Sequence, residues 1–129
     1  MTSDFFRTSV SSEAAEPARV IAKAVLAAAE RLDLRHRALA SILGTSEASI
    51  SRLRRGRGLE PSGREGETAL LFLRLYRSLD ALVGGDDGQA RAWLHAENTH
   101  VGGVPALRIQ RIEGLLDVLR YLDAVRGRL

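Results

Sequence analysis

The sequence predicts an all-α protein, because apolar residues recur at three- and four-residue intervals and no segment shows the strict alternation of a half-buried strand. Glycine, proline and aspartate separate the periodic segments, as expected for turns between helices. With 129 residues, of which 45% are hydrophobic, the chain can bury one modest core. We therefore expect one unit in which an N-terminal helical bundle packs on a smaller C-terminal helical domain.

The N-terminal part is predicted to contain an arm, three helices and a loop. Residues 1–16 are mostly polar, which favours a mobile tail or an arm that docks on a partner. Pro17 suits the first turn of a helix, so the first helix should begin there. A glycine-rich loop at 56–66 closes this region, which we bound at 17–66. The predicted helices lie at about residues 17–32, 35–43 and 47–55.

The second predicted unit, residues 67–129, begins with a central helix. The segment 70–83 is apolar on nearly all sides, as a buried helix would be, and paired glycines follow it. Asp86 or Asp87 can cap a shorter helix that carries Trp93, which we expect to lie in the core.

The C-terminal end of the chain is predicted to be helical as well. Residues 98–103 resemble a turn, and Pro105 can open a further helical turn. We expect Gly114 to break that turn, because glycine is a poor helix former. A last helix at 115–126 should then present one apolar stripe to the core.

Several kinds of chemistry are missing from the sequence. Without cysteine, neither disulfides nor the usual structural zinc sites can form. The three histidines, His36, His95 and His100, share no metal-binding spacing, and the Asp86–Asp87 pair suits helix capping better than acid–base chemistry. We therefore expect no enzyme activity, no metal and no cofactor. No apolar run is long enough for a membrane span and no signal peptide is evident, which favours a cytoplasmic protein.

The stretch ALASILGTSEASISRLRRG at residues 38–56 combines a small residue, a glycine corner and a locked second helix. Ala40 permits close approach of two helices, Gly44 permits a left-handed corner, and Ile50 and Leu53 can hold the second helix down. Over about twenty residues this pattern resembles the helix-turn-helix of Xre-like regulators. Thr45 or Ser46 would cap the second helix.

The resemblance implies that one face of the second helix meets DNA. Arg52 or Arg55 would contact guanine or phosphate. Glu47 could accept a hydrogen bond from cytosine N4, although its charge also repels phosphate. Helix-turn-helix pairs can also persist as packing units without DNA contact, and cations at a helix end are favoured by the helix dipole alone. The residues implied to face DNA are Ser46, Glu47, Ala48, Ser51, Arg52 and Arg55.

The C-terminal sequence carries a second resemblance. Its motif positions are Trp93-Leu94, Asn98, Val101-Gly102, Pro105, Gly114, Val118 and Leu122. In this order they look like the toxin-binding domain of the Xre/MbcA/ParS antitoxins, although Glu97 and Arg111 depart from residues common in that family. The resemblance implies an antitoxin, with no catalytic residues of its own, that covers the active site of a RES-domain toxin acting on NAD by degradation or ADP-ribosyl transfer.

The last helix and the chain end are the predicted toxin-binding surface. Aromatic residues and arginines are frequent interface anchors, which motivates this choice. The predicted toxin contacts are Leu116, Arg120, Tyr121, Arg126, Arg128 and Leu129. A homodimer is also expected within the toxin–antitoxin complex, because two half-sites on operator DNA need two helices, and Phe5 and Phe6 offer an apolar contact. Two alternatives are a stand-alone transcription regulator and a structural adaptor.

Overall fold

The computed structural model describes residues 2–127, with side chains described from residue 16 onward. Seven α-helices and one 3-10 turn follow one another in this part of the chain, and the sole β feature within it is an isolated bridge between Asn98 and Gly103. The all-α prediction is confirmed. In chain order the elements are α1 (Thr2–Arg31), α2 (His36–Leu43), α3 (Glu47–Arg54), α4 (Arg64–Leu82), α5 (Asp87–His95), the 3-10 turn (Thr99–Val101), α6 (Pro105–Arg108) and α7 (Ile112–Gly127).

The first helix starts much earlier than the sequence suggested. α1 begins at Thr2, so Pro17 lies inside the helix and the predicted start of the first helix at Pro17 is wrong. Proline favours the first helical turn but does not require it, and the alanines and glutamates just before Pro17 are strong helix formers. The predicted dimer contact through Phe5 and Phe6 falls outside the described side chains.

The helix α4 is the centre of the molecule. It packs against α1 and α2 on the N-terminal side and against α7 on the C-terminal side. Phe72, Leu75 and Leu79 on this helix are fully buried, which confirms the prediction of a central buried helix. Leu70 on the same helix does not fit this prediction, since it is 44% exposed. Among the described helices, none is long and apolar enough to cross a membrane.

Polar contacts tie the neighbouring helices to α4. The Ser78 hydroxyl, buried on α4, donates to Asp123 Oδ1 of α7 at 2.9 Å, and Arg74 Nη2 forms an ion pair with Asp123 Oδ2 at 2.6 Å. On the other side Arg31 Nη1 of α1 donates to the Tyr76 hydroxyl at 3.0 Å. This hydrogen bond raises the pKa of the Arg31 guanidinium above its usual value, because the bond favours the charged form of the group.

Gly114 does not break the helix as predicted. It is buried inside α7, which begins at Ile112. A Cβ at this position would overlap the backbone carbonyl of Arg108. The glycine therefore permits α6 and α7 to approach closely, and this gain outweighs its poor helix propensity of about 1 kcal/mol.

Candidate functional site

The corner between α2 and α3 has the predicted chemistry. Gly44 ends α2 in the left-handed conformation, with φ of 69°. Ser46 caps α3, since its hydroxyl accepts a hydrogen bond from the Ser49 N–H at 3.1 Å. Ile50 and Leu53 are buried and fix the inner face of α3. These contacts leave the opposite face of α3 turned away from the core.

The six residues predicted to meet DNA lie on α3 or directly beside it, as its two caps. Every one of them is exposed: Ser46, Glu47, Ala48, Ser51, Arg52 and Arg55. Residues three and four positions apart share one side of a helix, so the structure gathers most of this set on one surface. The guanidinium groups of Arg52 and Arg55 lie on this surface beside short side chains and are the groups that could contact base edges or phosphates.

A buried serine, which the sequence analysis missed, supports this surface. Ser49 Oγ is 3.2 Å from the hydroxyl of Ser46 and accepts a hydrogen bond from Arg52 Nη2 at 3.0 Å. Ser49 itself is only 6% exposed, so it provides a fixed partner for a flexible side chain. The three-residue spacing of these three residues was the signal that could have identified it.

Some arginines near the corner between α2 and α3 already have a side-chain partner. Arg57 Nη2 forms an ion pair with Glu65 Oε2 at 2.9 Å, and the other carboxylate oxygen accepts from the Thr45 hydroxyl at 3.4 Å. Arg54 Nη1 lies 3.3 Å from His36 Nε2. Glu65 therefore joins the start of α4 to the corner and neutralises Arg57, which is not among the residues predicted to meet DNA.

A column of aromatic rings marks the surface of the C-terminal unit. The Tyr121 ring lies between two others, with its centroid 6.3 Å from that of Trp93 and 5.4 Å from that of His100, and both pairs are nearly parallel. Trp93 and Tyr121 are half-buried and His100 is exposed. Trp93, which was expected in the core, is half-buried and packs against the core, and it also forms the inner end of this column. No pattern of residues along the chain indicated that His100 would join it.

The turn at residues 98–103 holds the outer ring in place. The Asn98 side chain accepts from the His100 N–H at 2.9 Å, and the backbones of Asn98 and Gly103 pair with each other. Arg108 Nε donates to the Val101 carbonyl at 2.9 Å, while its Nη2 pairs with Asp117 Oδ2 at 2.6 Å. The turn that presents His100 is thus fastened to α6 and α7.

The other described residues that were predicted to contact the toxin lie along α7. Leu116 is half-buried, whereas Arg120 is exposed and lies 3.9 Å from Asp117. Arg126 is exposed in the last turn of the helix. Arg128 and Leu129 lie outside the described residues. Tyr121, Arg120 and Arg126 remain candidates for an interface on geometric grounds.

The α2–α3 pair turns at a glycine and exposes one face of its second helix, and α4 joins this pair to a smaller helical unit. This arrangement defines a helix-turn-helix protein with an appended domain. Residues 12–74 match the antitoxin Xre-like helix-turn-helix domain, and residues 78–128 match the antitoxin Xre/MbcA/ParS C-terminal toxin-binding domain. The chain belongs to the Xre/MbcA/ParS antitoxin family and is an antitoxin of a toxin–antitoxin system. No curated protein matches it.

Proposed function

We propose that this antitoxin neutralises a RES-domain toxin that degrades NAD or transfers ADP-ribose, by covering the toxin's active site with the end of α7. The observation that carries the proposal is the match of residues 78–128 to a toxin-binding domain. The resemblance noted above in the sequence motifs supports the choice of toxin class. The protein would act in the cytoplasm, where NAD is consumed.

The surface of α7 supports a docking role. Tyr121 is held by rings on both sides, so little conformational entropy is lost when it becomes an interface anchor. Arg120 and Arg126 are exposed beside it and can pair with acidic groups of a partner. Tyrosine and arginine are the residue types that most often dominate binding energy. We assign Arg128 and Leu129 to the same contact, as the segment that reaches into the toxin.

The test is a search for a RES-domain protein encoded beside this gene, co-purification with that protein, and an assay of NAD loss. The intact chain should suppress NAD loss, and deletion of residues 126–129 should restore it while leaving the complex detectable. The matched control is Arg77→Gln, an exposed arginine on α4, which should inhibit as well as the native chain. NAD consumption at saturating antitoxin would contradict the proposal, and full inhibition after the deletion would contradict the role of the tail.

We further propose that a homodimer binds its own operator through α3 and represses the operon. The exposed guanidinium groups of Arg52 and Arg55 support contact with DNA. A dimer would place two copies of α3 about 34 Å apart, one turn of the double helix. Binding to the DNA upstream of the gene should weaken as salt rises; equal binding to unrelated DNA would argue against an operator.

The alternative is a transcription regulator that has no toxin partner. The exposed face of α3 favours it, because this face needs no second protein. Operator binding without any complex with a neighbouring gene product would establish this alternative.

A further inference from the structure

A cleft opens between the helix-turn-helix region and the toxin-binding domain. Its volume is about 500 Å³, within the range of small-molecule sites in proteins, and such sites often lie where two units meet. One wall comes from α2 and the residues just before it, and the other from α6 and the end of α5. None of the residues that line it belongs to the exposed face of α3 or to the aromatic column.

The two walls are joined at the base of this cleft. His95 Nε2 donates to the Leu32 carbonyl at 2.8 Å, and Arg91 Nη1 donates to the Arg31 carbonyl at 3.1 Å. These hydrogen bonds hold α5 against the end of α1. The wall that contains His95 is therefore anchored to the residues that precede the opposite wall.

The floor and one edge of the cleft are apolar. Leu34 and Ala106 line the cleft and are buried, and Ala38 lines it and is half-buried. Leu107 on the edge is 64% exposed, the largest exposure among the exposed large hydrophobic side chains of the described region. An apolar molecule in the cleft would cover this leucine, which is otherwise left in water at a cost.

The charges of the cleft favour one negative charge on the ligand. Arg35 and Arg37 line it and are exposed, and neither takes part in an ion pair within the region whose side chains are described. Asp33 also lines it and offsets one of the two cations. His95 donates its Nε2 proton to the Leu32 carbonyl. The other charged residues that line the cleft have a net charge of about one guanidinium. A polyanion would meet the Asp33 carboxylate, whereas a single carboxylate can pair with an arginine.

We propose that this cleft binds a small monocarboxylate with an apolar body, its carboxylate on Arg35 or Arg37 and its body over Leu34 and Leu107. Such a ligand contacts both units at once, so it stabilises their packing against each other. The site requires neither DNA nor toxin, and its failure would leave the proposed antitoxin function untouched.

The test uses 4-phenylbutanoate, with the neutral 4-phenylbutan-1-ol as the matched control ligand, and follows backbone amide shifts of the full chain by NMR. A ligand of this size should bind with a Kd on the order of 1 mM. The shifts should cluster at cleft residues such as Ala38, Ser41 and Leu107. The alcohol should bind at least about tenfold more weakly, because it cannot form the charge-assisted hydrogen bond.

Variants separate the cleft from unspecific binding. The double change Arg35→Gln with Arg37→Gln should raise the Kd about tenfold, and Arg37→Gln alone should raise it by a smaller factor. Arg77→Gln, which removes an exposed cation far along α4, should leave it unchanged. The proposal would be overturned if the chemical shifts did not saturate with ligand concentration or if the alcohol bound equally well. An unchanged Kd in the double variant would also overturn it. So would movement of the same signals on raising the protein concentration alone, since that would assign the cleft to a second copy of the chain.

Discussion

Replacing Gly114 by alanine tests how closely α6 and α7 are packed. In an ordinary helix interior this change is stabilising by about 1 kcal/mol, because alanine is the better helix former. Here the new Cβ would overlap the backbone carbonyl of Arg108, and a backbone atom cannot turn aside as a side chain can. Either α6 or the first turn of α7 must shift, and the buried contacts of Leu115 shift with it.

The size of the effect follows from these two opposing contributions. Overpacking a buried position costs about 1–3 kcal/mol, and a clash with backbone belongs at the upper end of that range. After the gain in helix propensity is subtracted, we expect Gly114→Ala to lower the free energy of unfolding by about 2 kcal/mol. For a chain of this length that corresponds to a fall in Tm of about 7 °C.

The measurement is thermal and urea unfolding followed by circular dichroism. Gly127→Ala is the matched control, because Gly127 ends the same helix and a Cβ there would meet nothing within 4 Å. It should leave the stability unchanged or slightly higher. If Gly114→Ala proved as stable as the native chain, the close approach of α6 and α7 would not be the reason for glycine at this position.

Four further substitutions test the other surfaces. Arg52→Ala should weaken operator binding and reduce the slope of log K against log salt by about 0.9, the value for one phosphate contact, in titrations at several salt concentrations. Ser49→Ala should weaken the same binding and leave that slope unchanged, because Arg52 keeps its charge and loses only its fixed partner; an altered slope would refute this role. Tyr121→Ala should weaken the toxin complex about 30-fold in a calorimetric titration, and an unchanged Kd would remove Tyr121 from the interface. Asp86→Ala should cost about 1 kcal/mol in urea unfolding, since the Asp86 carboxylate accepts from the Gln89 N–H at the start of α5; no loss would show that the cap contributes nothing.

Features that depend on neighbouring residues were predictable from the sequence. Gly44 had to supply a left-handed corner, and Ser46 and Asp86 had the right chemistry for helix caps at the right distance from apolar segments. The exposure of the α3 face followed from the spacing of Ile50 and Leu53, because fixing one side of a helix fixes the other.

Features that depend on contacts between distant segments were not predictable in the same way. Pro17 and Gly114 were interpreted by their usual local effects, and in each case other residues decided the outcome. The column formed by Trp93, Tyr121 and His100 joins three separate elements, so no spacing along the chain indicates it. The identity of the toxin depends on a second protein and was inferred only by resemblance.

The helix α4 begins within one family match, which ends at residue 74, and finishes within the other, which begins at residue 78. A gene cut between these two segments would divide one continuous helix and leave Phe72 and Leu79 on separate fragments. Each fragment would then expose apolar side chains that the intact protein buries. It would aggregate more readily than the intact protein. A cut at the turn after α4 would keep this helix whole, although it would still separate α4 from α7, against which it packs.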